Sequence, residues 1–234
     1  DLYYLETREK ASSRLSAEAE FSMDRIALDV ADAVSALGLA DEGYVLFGSS
    51  FGASVALHMV ACRGAAARAA ASRRPGVAPS AAPGSWGPGP KLTVLFEPMP
   101  ELWGPGRLIA AVGRFVPLHI VELLRSPLKR LVLAGMKEET QRRRAERVID
   151  EADLRKWREA ALSLSSWHIL DVAPIAPGRV EVIHASRDRF HAQTHYPEIA
   201  AALPHGHLHR IPTDESERER LMGRLASDYA LGRR

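Results

Sequence analysis

A serine flanked by two glycines is the pattern with the clearest chemical meaning in this sequence. The stretch Gly48-Ser49-Ser50-Phe51-Gly52 fits G-x-S-x-G, with an apolar run before it and an alanine-rich helical run after it. A strand, a sharp turn and a helix in that order, called here the elbow, project a serine hydroxyl from the tip of the turn. We therefore predict that Ser50 is a nucleophile and that the Phe51 N–H donates to an oxyanion. Gly48 and Gly52 would leave room where strand and helix come close.

The same five residues have a simpler interpretation, because a glycine-serine turn is ordinary loop chemistry. What favours the nucleophile is the context on both sides of the motif, Tyr44–Phe47 as a strand and Ala53–Ala61 as a helix. The remaining elements must then place an acid and a base within reach of this turn.

Composition indicates a globular chain with no signal for a nucleic-acid partner. The 234 residues are 46% hydrophobic and 26% charged, and the net charge of +2 is too small to attract a polyanion. No apolar run is long enough for a membrane span. The single cysteine, Cys62, excludes an internal disulfide and favours a cytoplasmic location, with the side chain as a small buried apolar group.

Strand and helix patterns alternate along most of the chain, which predicts an α/β protein with a mainly parallel sheet flanked by helices. Beyond Tyr44–Phe47, strands are expected at residues 2–5, 92–96, 180–185 and 207–211. Helical periodicity runs through Ile26, Val30 and Val34, with Ser22 as a cap, and returns in the closing helix 216–231.

Two stretches interrupt this rhythm. Residues 63–90 consist almost wholly of Ala, Arg, Gly, Pro and Ser, which predicts a low-complexity insertion in a surface loop. Residues 98–177 are mostly helical between two strands, too long for a simple crossover, and are expected to form a helical cap. Within it, separate helices are expected at 120–124 and 128–134, with a break at Pro127. The predicted core is then residues 1–97 and 178–234.

This order of elements resembles the α/β-hydrolase superfamily, a three-layer sandwich. The loop Glu6–Ser13, with its T-R-E-K-A-S-S run, and the F-E-P segment ending at Pro98 are similar to those of an uncharacterised microbial branch. The resemblance implies a triad in the chain order Ser, acid, His. Ser50 would be the nucleophile, and Asp188, after the penultimate strand, the acid that orients the imidazole. Glu97, after the strand that follows the elbow helix, is the alternative acid.

The histidine departs from this pattern. The family places it just after the last strand, but residues 212–217 contain no His. His209 is nearest to the expected position, although a side chain within a strand points along the sheet normal rather than toward the turn. Other candidates remain open: His191, His195, His205 and His207.

A second departure is at the start of the chain. In this superfamily the other oxyanion N–H comes from a loop upstream of the strand expected at residues 2–5. No such loop precedes Asp1, so we expect an N-terminally incomplete sheet.

Cofactor and metal patterns are weak. His205, His207 and His209 alternate along a strand, yet no Cys or carboxylate joins them at a diagnostic spacing. Neither a P-loop nor a G-x-G-x-x-G follows a strand. We therefore expect no cofactor and no metal.

These observations predict a serine hydrolase acting on a carboxylic ester or a similar small acyl substrate. Another reaction such as acyl transfer is open, since this fold carries many chemistries. The alternative of a different class is a degenerate, non-catalytic fold that binds a small apolar ligand or partner. The missing His favours that alternative, and the oligomeric state does not follow from the sequence.

Overall fold

Four parallel strands form the sheet in a computed structural model of the chain. The structure describes residues 1–16, 19–39, 43–71, 88–101, 113–134, 139–185, 195–212 and 215–233. The strands lie side by side in chain order: β1 (Val45–Ser49), β2 (Leu92–Phe96), β3 (Val180–Ala185) and β4 (Gly206–Ile211). This is the mainly parallel sheet flanked by helices that the alternating pattern predicts.

The helices are named here in chain order. They are α1 (Met23–Ala36), α2 (Phe51–Ala71), α3 (Leu118–Ala134), α4 (Glu139–Asp150), α5 (Leu154–Leu164), α6 (Ile169–Val172), α7 (His195–Ala202) and α8 (Glu215–Ala230). A short 3-10 helix, Ala173–Ile175, follows α6.

Helices cover both faces of the sheet. On one face, Val94, Phe96 and Ile183 pack with Leu221 and Leu225 of α8 in a single apolar cluster. On the other, α2 packs against β1, β2 and α1, and α7 packs against β3 and β4. Every residue of β2 is buried, as expected for a central parallel strand covered on both sides.

The described chain forms two compact units. One contains residues 23–101 and 167–234, with the sheet and the helices on its faces. The other contains residues 1–22 and 102–166, with α3, α4 and α5. Two segments far apart in sequence thus build the second unit together.

A buried lysine connects these two segments inside the second unit. Lys156 is only 5% exposed, and its Nζ donates to the carbonyl oxygens of Lys10 at 2.9 Å and Ser13 at 2.6 Å. Asp153 caps the same helix by accepting from the backbone N–H of Lys156 at 3.1 Å. A buried ammonium needs such acceptors, because an unpaired charge in the interior is costly.

Three predicted elements differ from the structure. Residues 2–5 are not a strand; Leu2 and Tyr4 are 85% and 87% exposed, and no other strand pairs with them in the described chain. The elbow helix continues to Ala71 rather than ending at Ala61, because alanine is the best helix former. Helix α3 also runs through Pro127, where the sequence predicts a break. Within the described residues, no helix is both long and apolar enough to cross a bilayer.

Candidate active site

Ser50 occupies a strained turn between β1 and α2. Its φ is +53°, in the left-handed region that costs an L-residue about 1–2 kcal/mol. The turn is held on both sides, since the Ser50 N–H donates to the Phe96 carbonyl at 2.9 Å and the Ser50 carbonyl accepts from the Ala53 N–H at 3.0 Å. Strain that the surroundings enforce in this way is typical of functional positions.

The two glycines of the motif have different roles. A Cβ on Gly48 would lie 2.5 Å from the Gly52 carbonyl oxygen and 2.6 Å from the Ala53 Cα, both backbone atoms that cannot move aside. A Cβ on Gly52 would meet nothing within 4 Å. The expected close approach of strand and helix therefore requires glycine at position 48, whereas the expectation for position 52 is wrong.

The segment after β2 is fastened to the elbow. The Ser54 hydroxyl, fully buried in α2, donates to the Met99 carbonyl at 2.7 Å. The Met99 N–H lies 3.4 Å from the Ser50 carbonyl oxygen that accepts it. These contacts hold the Pro98–Pro100 backbone beside the serine turn.

Phe51 is the first residue of α2. The first N–H groups of a helix have no acceptor within it and carry the positive end of its dipole. The predicted oxyanion donor therefore lies at a helix N-terminus directly after Ser50.

Glu97 directly follows β2, next to the elbow. Its side chain is fully buried, its φ is +49°, and its N–H donates to the Ile183 carbonyl at 2.9 Å. Because Ser49 pairs with Phe96, Glu97 and Ser50 are the next residues along two neighbouring strands. A carboxyl group at the C-terminal edge of a parallel sheet lies where α/β proteins bind their ligands.

The alpha/beta hydrolase family model matches residues 13–215 of this chain, a span that includes the elbow and all four strands. The chain belongs to the alpha/beta hydrolase family. The resemblance inferred from the serine turn and the order of elements is thus confirmed.

Solved structures of similar fold include several hydrolases. A hydrolase from Pseudomonas aeruginosa aligns with a TM-score of 0.62 at 16% identity, over 97% of this chain and 77% of that one. An esterase from Exiguobacterium antarcticum aligns with a TM-score of 0.63 at 14% identity, over 94% and 78%. The enol-lactonase from Burkholderia xenovorans aligns with a TM-score of 0.60 at 14% identity, over 96% and 77%. At such identities the likeness shows the fold. Among curated proteins, none matches the chain significantly.

The structure describes only some of the other residues predicted for the triad of this α/β-hydrolase. Asp188 and His191 lie outside the described residues, and His195 begins α7. His209 lies in β4, where its Nε2 bonds with Glu181, a fully buried carboxylate that also accepts from the Arg179 Nε at 2.5 Å.

The sheet register shows how far His209 is from the turn. Ser49, Phe96, Ile183 and His209 form one row across the four strands. Three strand spacings of about 4.8 Å put the two ends of that row about 14 Å apart. Ile183 faces α8, and so does its partner His209, whereas the elbow helix covers the opposite face.

Two residues that make these contacts in this α/β-hydrolase carry little signal in the sequence. In the sequence, Glu181 is a single polar residue within an apolar strand. Its buried carboxylate is explained by the bonds with Arg179 and His209, which the sequence does not indicate. Ser54 has the pattern of an ordinary helix residue, although it lies four positions, about one helical turn, after Ser50. That spacing was the available signal for its role beside the turn.

Proposed function

We propose that this α/β-hydrolase is a serine hydrolase that cleaves a carboxylic ester or a similar small acyl substrate through Ser50. The observation that carries the proposal is the left-handed backbone of Ser50 between β1 and α2. A non-glycine residue keeps that conformation only where the surroundings impose it, and the nucleophile turn of this fold needs it. Membership in the alpha/beta hydrolase family supports the same chemistry.

In this mechanism the Ser50 Oγ attacks the acyl carbonyl while its proton passes to a histidine. The tetrahedral oxyanion accepts from the Phe51 N–H at the start of α2, where the helix dipole favours negative charge. The acyl-enzyme then reacts with water, and the histidine activates that water and returns its proton. Ser54 supports the turn by fastening Met99 next to it.

For the acid we propose Asp188, with Glu97 as the alternative. Asp188 has the position that the family pattern gives to the acid, after the penultimate strand. The support for Glu97 is geometric, because it is buried at the end of the strand paired with β1. A buried carboxylate hydrogen-bonded to an imidazole stabilises the imidazolium that forms during attack.

The base is a histidine to be found among His191, His195 and His209. His209 has the weakest support, because its Nε2 is engaged by Glu181. An imidazole that is to serve as base must present a free nitrogen to the serine hydroxyl. His191 and His195 follow Asp188 within about ten residues of the end of β3, so they lie in the same region of sequence as the proposed acid.

A fluorophosphonate probe tests the nucleophile directly, since it labels only an activated serine. We expect labelling of the wild-type chain and none of Ser50→Ala. Ser49→Ala is the matched control, because Ser49 is the neighbouring residue in β1 and should keep its labelling. Equal labelling of Ser50→Ala and wild type would overturn the proposal. No labelling of a folded wild-type chain would instead favour the non-catalytic binding protein.

The same probe locates the acid and base. Labelling rates of His191→Ala, His195→Ala and His209→Ala should single out one histidine whose loss slows the reaction by several orders of magnitude. Asp188→Asn and Glu97→Gln then separate the two acids. If all three histidine variants react at the wild-type rate, no histidine of this group is the base.

A further inference from the structure

A second group of chemically active side chains lies in the sheet-containing unit, away from the serine turn. Asp24 of α1 and His58 and Cys62 of α2 each offer one possible ligand atom, and the three atoms lie within 4.8 Å of one another. His58 is buried, Cys62 is half-buried and the Asp24 side chain is 72% exposed. Such a mixture of nitrogen, sulfur and oxygen ligands needs an explanation.

This group is not a second catalytic triad. Asp24 Oδ1 lies 2.5 Å from His58 Nε2, and Cys62 Sγ lies 3.4 Å from the same nitrogen. A triad needs the carboxylate on one ring nitrogen and the nucleophile on the other, so that a proton can pass between them. With both partners on Nε2, the histidine cannot act as a relay.

We propose that Asp24, His58 and Cys62 form a binding site for Zn²⁺ or a similar divalent metal ion. His58 and Cys62 are four residues apart on one helix, so they project from the same face. Asp24 is supplied by the first turn of the neighbouring helix α1. The three side chains offer the ligand types that zinc takes in proteins.

The distances between ligand atoms support this assignment. With Zn–N, Zn–O and Zn–S bonds of about 2.0–2.3 Å, a tetrahedral ion separates its nitrogen, oxygen and sulfur ligand atoms by about 3.3–3.6 Å. Cys62 Sγ lies 3.4 Å from His58 Nε2 and 3.7 Å from Asp24 Oδ1, close to those edges. Only the Asp24–His58 edge, at 2.5 Å, must lengthen, by about 1 Å. Asp24 is the exposed member, so its side chain is free to make that adjustment and to leave a fourth position to water.

Trp167 makes the proposal unusually easy to test. Its indole N–H donates to His58 Nδ1 at 3.1 Å. Since an indole nitrogen can only donate, the ring proton of His58 is on Nε2, facing Asp24. A metal ion bound to Nε2 requires the ring proton to be on Nδ1, where it would face the indole N–H of Trp167. Metal binding therefore breaks the Trp167 bond, and the Cys62 thiol releases its proton to solvent as the metal–sulfur bond forms.

Titration of the reduced 234-residue chain with Co²⁺ monitors the site through its cysteine sulfur. A cobalt–thiolate bond gives a near-ultraviolet charge-transfer band, and Cys62 is the only cysteine of the chain. We expect the band in the wild type at one Co²⁺ per chain and none in Cys62→Ser. Zn²⁺ should then displace Co²⁺ and abolish the band, because it binds nitrogen and sulfur ligands more tightly. A wild-type chain without the band overturns the proposal, as does a band that Zn²⁺ leaves unchanged.

Three further variants test the geometry. Asp24→Asn should weaken Co²⁺ binding at least ten-fold, roughly the effect of losing an important partner in a metal site. Asp32→Asn, on the same helix, should leave it unchanged. Trp167→Phe should tighten binding about ten-fold, because it removes the donor opposed to the proton on Nδ1. Equal affinities in Asp24→Asn and Asp32→Asn, or weaker binding in Trp167→Phe, would exclude this site. None of these readouts depends on Ser50 or on hydrolysis.

Discussion

Ser50 and Glu97 have matching backbone conformations at the ends of two paired strands. Their φ values of +53° and +49° are the only positive ones among the described non-glycine residues. Ser49 of β1 pairs with Phe96 of β2, and Ser50 and Glu97 are the residues that follow this pair. The two turns therefore lie next to each other at the carboxyl edge of the sheet. A left-handed backbone reverses chain direction sharply, and here it does so twice at one place. The strain thus coincides with the edge at which parallel sheets bind ligands.

Removing the strain at Ser50 should stabilise the fold. Ser50→Gly relieves a left-handed conformation that costs a side-chain-bearing residue about 1–2 kcal/mol, less the higher chain entropy of unfolded glycine. We expect Ser50→Gly to exceed Ser50→Ala by about 1 kcal/mol in the free energy of unfolding, measured in urea. Ser49→Gly, in the regular strand β1, should instead lose about 0.5–1 kcal/mol. A Ser50→Gly chain less stable than Ser50→Ala would contradict the enforced strain.

The two glycines of the motif should respond oppositely to alanine. Gly48→Ala places a methyl group within 2.7 Å of the backbone of Gly52 and Ala53, so we expect a loss of about 1–3 kcal/mol or more in unfolding free energy. Gly52→Ala enters open space in the first turn of α2 and should be neutral or add up to about 1 kcal/mol. Thermal unfolding of the two purified variants makes the comparison. Similar behaviour of both glycines would show that the close contact at Gly48 is wrong.

The Cys62 thiol should be alkylated slowly in protein from which metal ions have been removed with a chelator. Burial, and then the charge and hydrogen bond of Asp24, raise the pKa of Cys62 from 9.0 to about 12. At pH 8 the thiolate fraction is then about a thousand-fold below that of an unperturbed cysteine, and iodoacetamide should react correspondingly slowly. Asp24→Asn removes the two carboxylate contributions and should speed alkylation, whereas Asp32→Asn should not. Reaction of the wild type at the rate of free cysteine would refute the raised pKa.

The raised pKa of Cys62 also predicts that the stability of the fold decreases at high pH. A folded-state pKa above the unfolded one means that the neutral thiol of Cys62 contributes stability fully below about pH 9. That contribution is lost as the pH rises from about 9 to about 12. We expect the free energy of unfolding of Cys62→Ala, measured with denaturant from about pH 9 to about pH 12, to fall less steeply than that of the wild type. A steeper fall in Cys62→Ala than in the wild type would contradict a raised pKa of Cys62 in the folded state.

The sheet could be predicted from sequence because its strands are short apolar runs with clear limits. Residues 92–96 and 180–185 form strands with the predicted bounds. Residues 2–5 have the same β-forming composition and do not form a strand, since strand formation depends on a partner that composition does not specify. The end of α2 was missed for a different reason: an alanine-rich tract has high helix propensity but no hydrophobic period.

Of the candidate site, the serine turn followed from local sequence, because strand, glycine and helix are contiguous in the chain. The contacts of His209 did not, since Glu181 lies 28 residues away and meets it only through the pairing of β3 with β4. Ordinary alternation in a strand did indicate that His209 points along the sheet normal. The convergence of Asp24 on His58 was equally hidden, because helix packing brings them together across 34 residues.

Lys156 sets an order of events during synthesis. Its acceptors, the carbonyls of Lys10 and Ser13, are made 146 and 143 residues before it. During synthesis, residues 1–22 leave the ribosome long before Lys156, so the carbonyls of Lys10 and Ser13 have no ammonium to accept from at that stage. By contrast, α1, β1 and α2 can already form contacts with one another. Contacts this distant in sequence form late and slow folding. The unit built from residues 1–22 and 102–166 is therefore completed only after the elbow has left the ribosome.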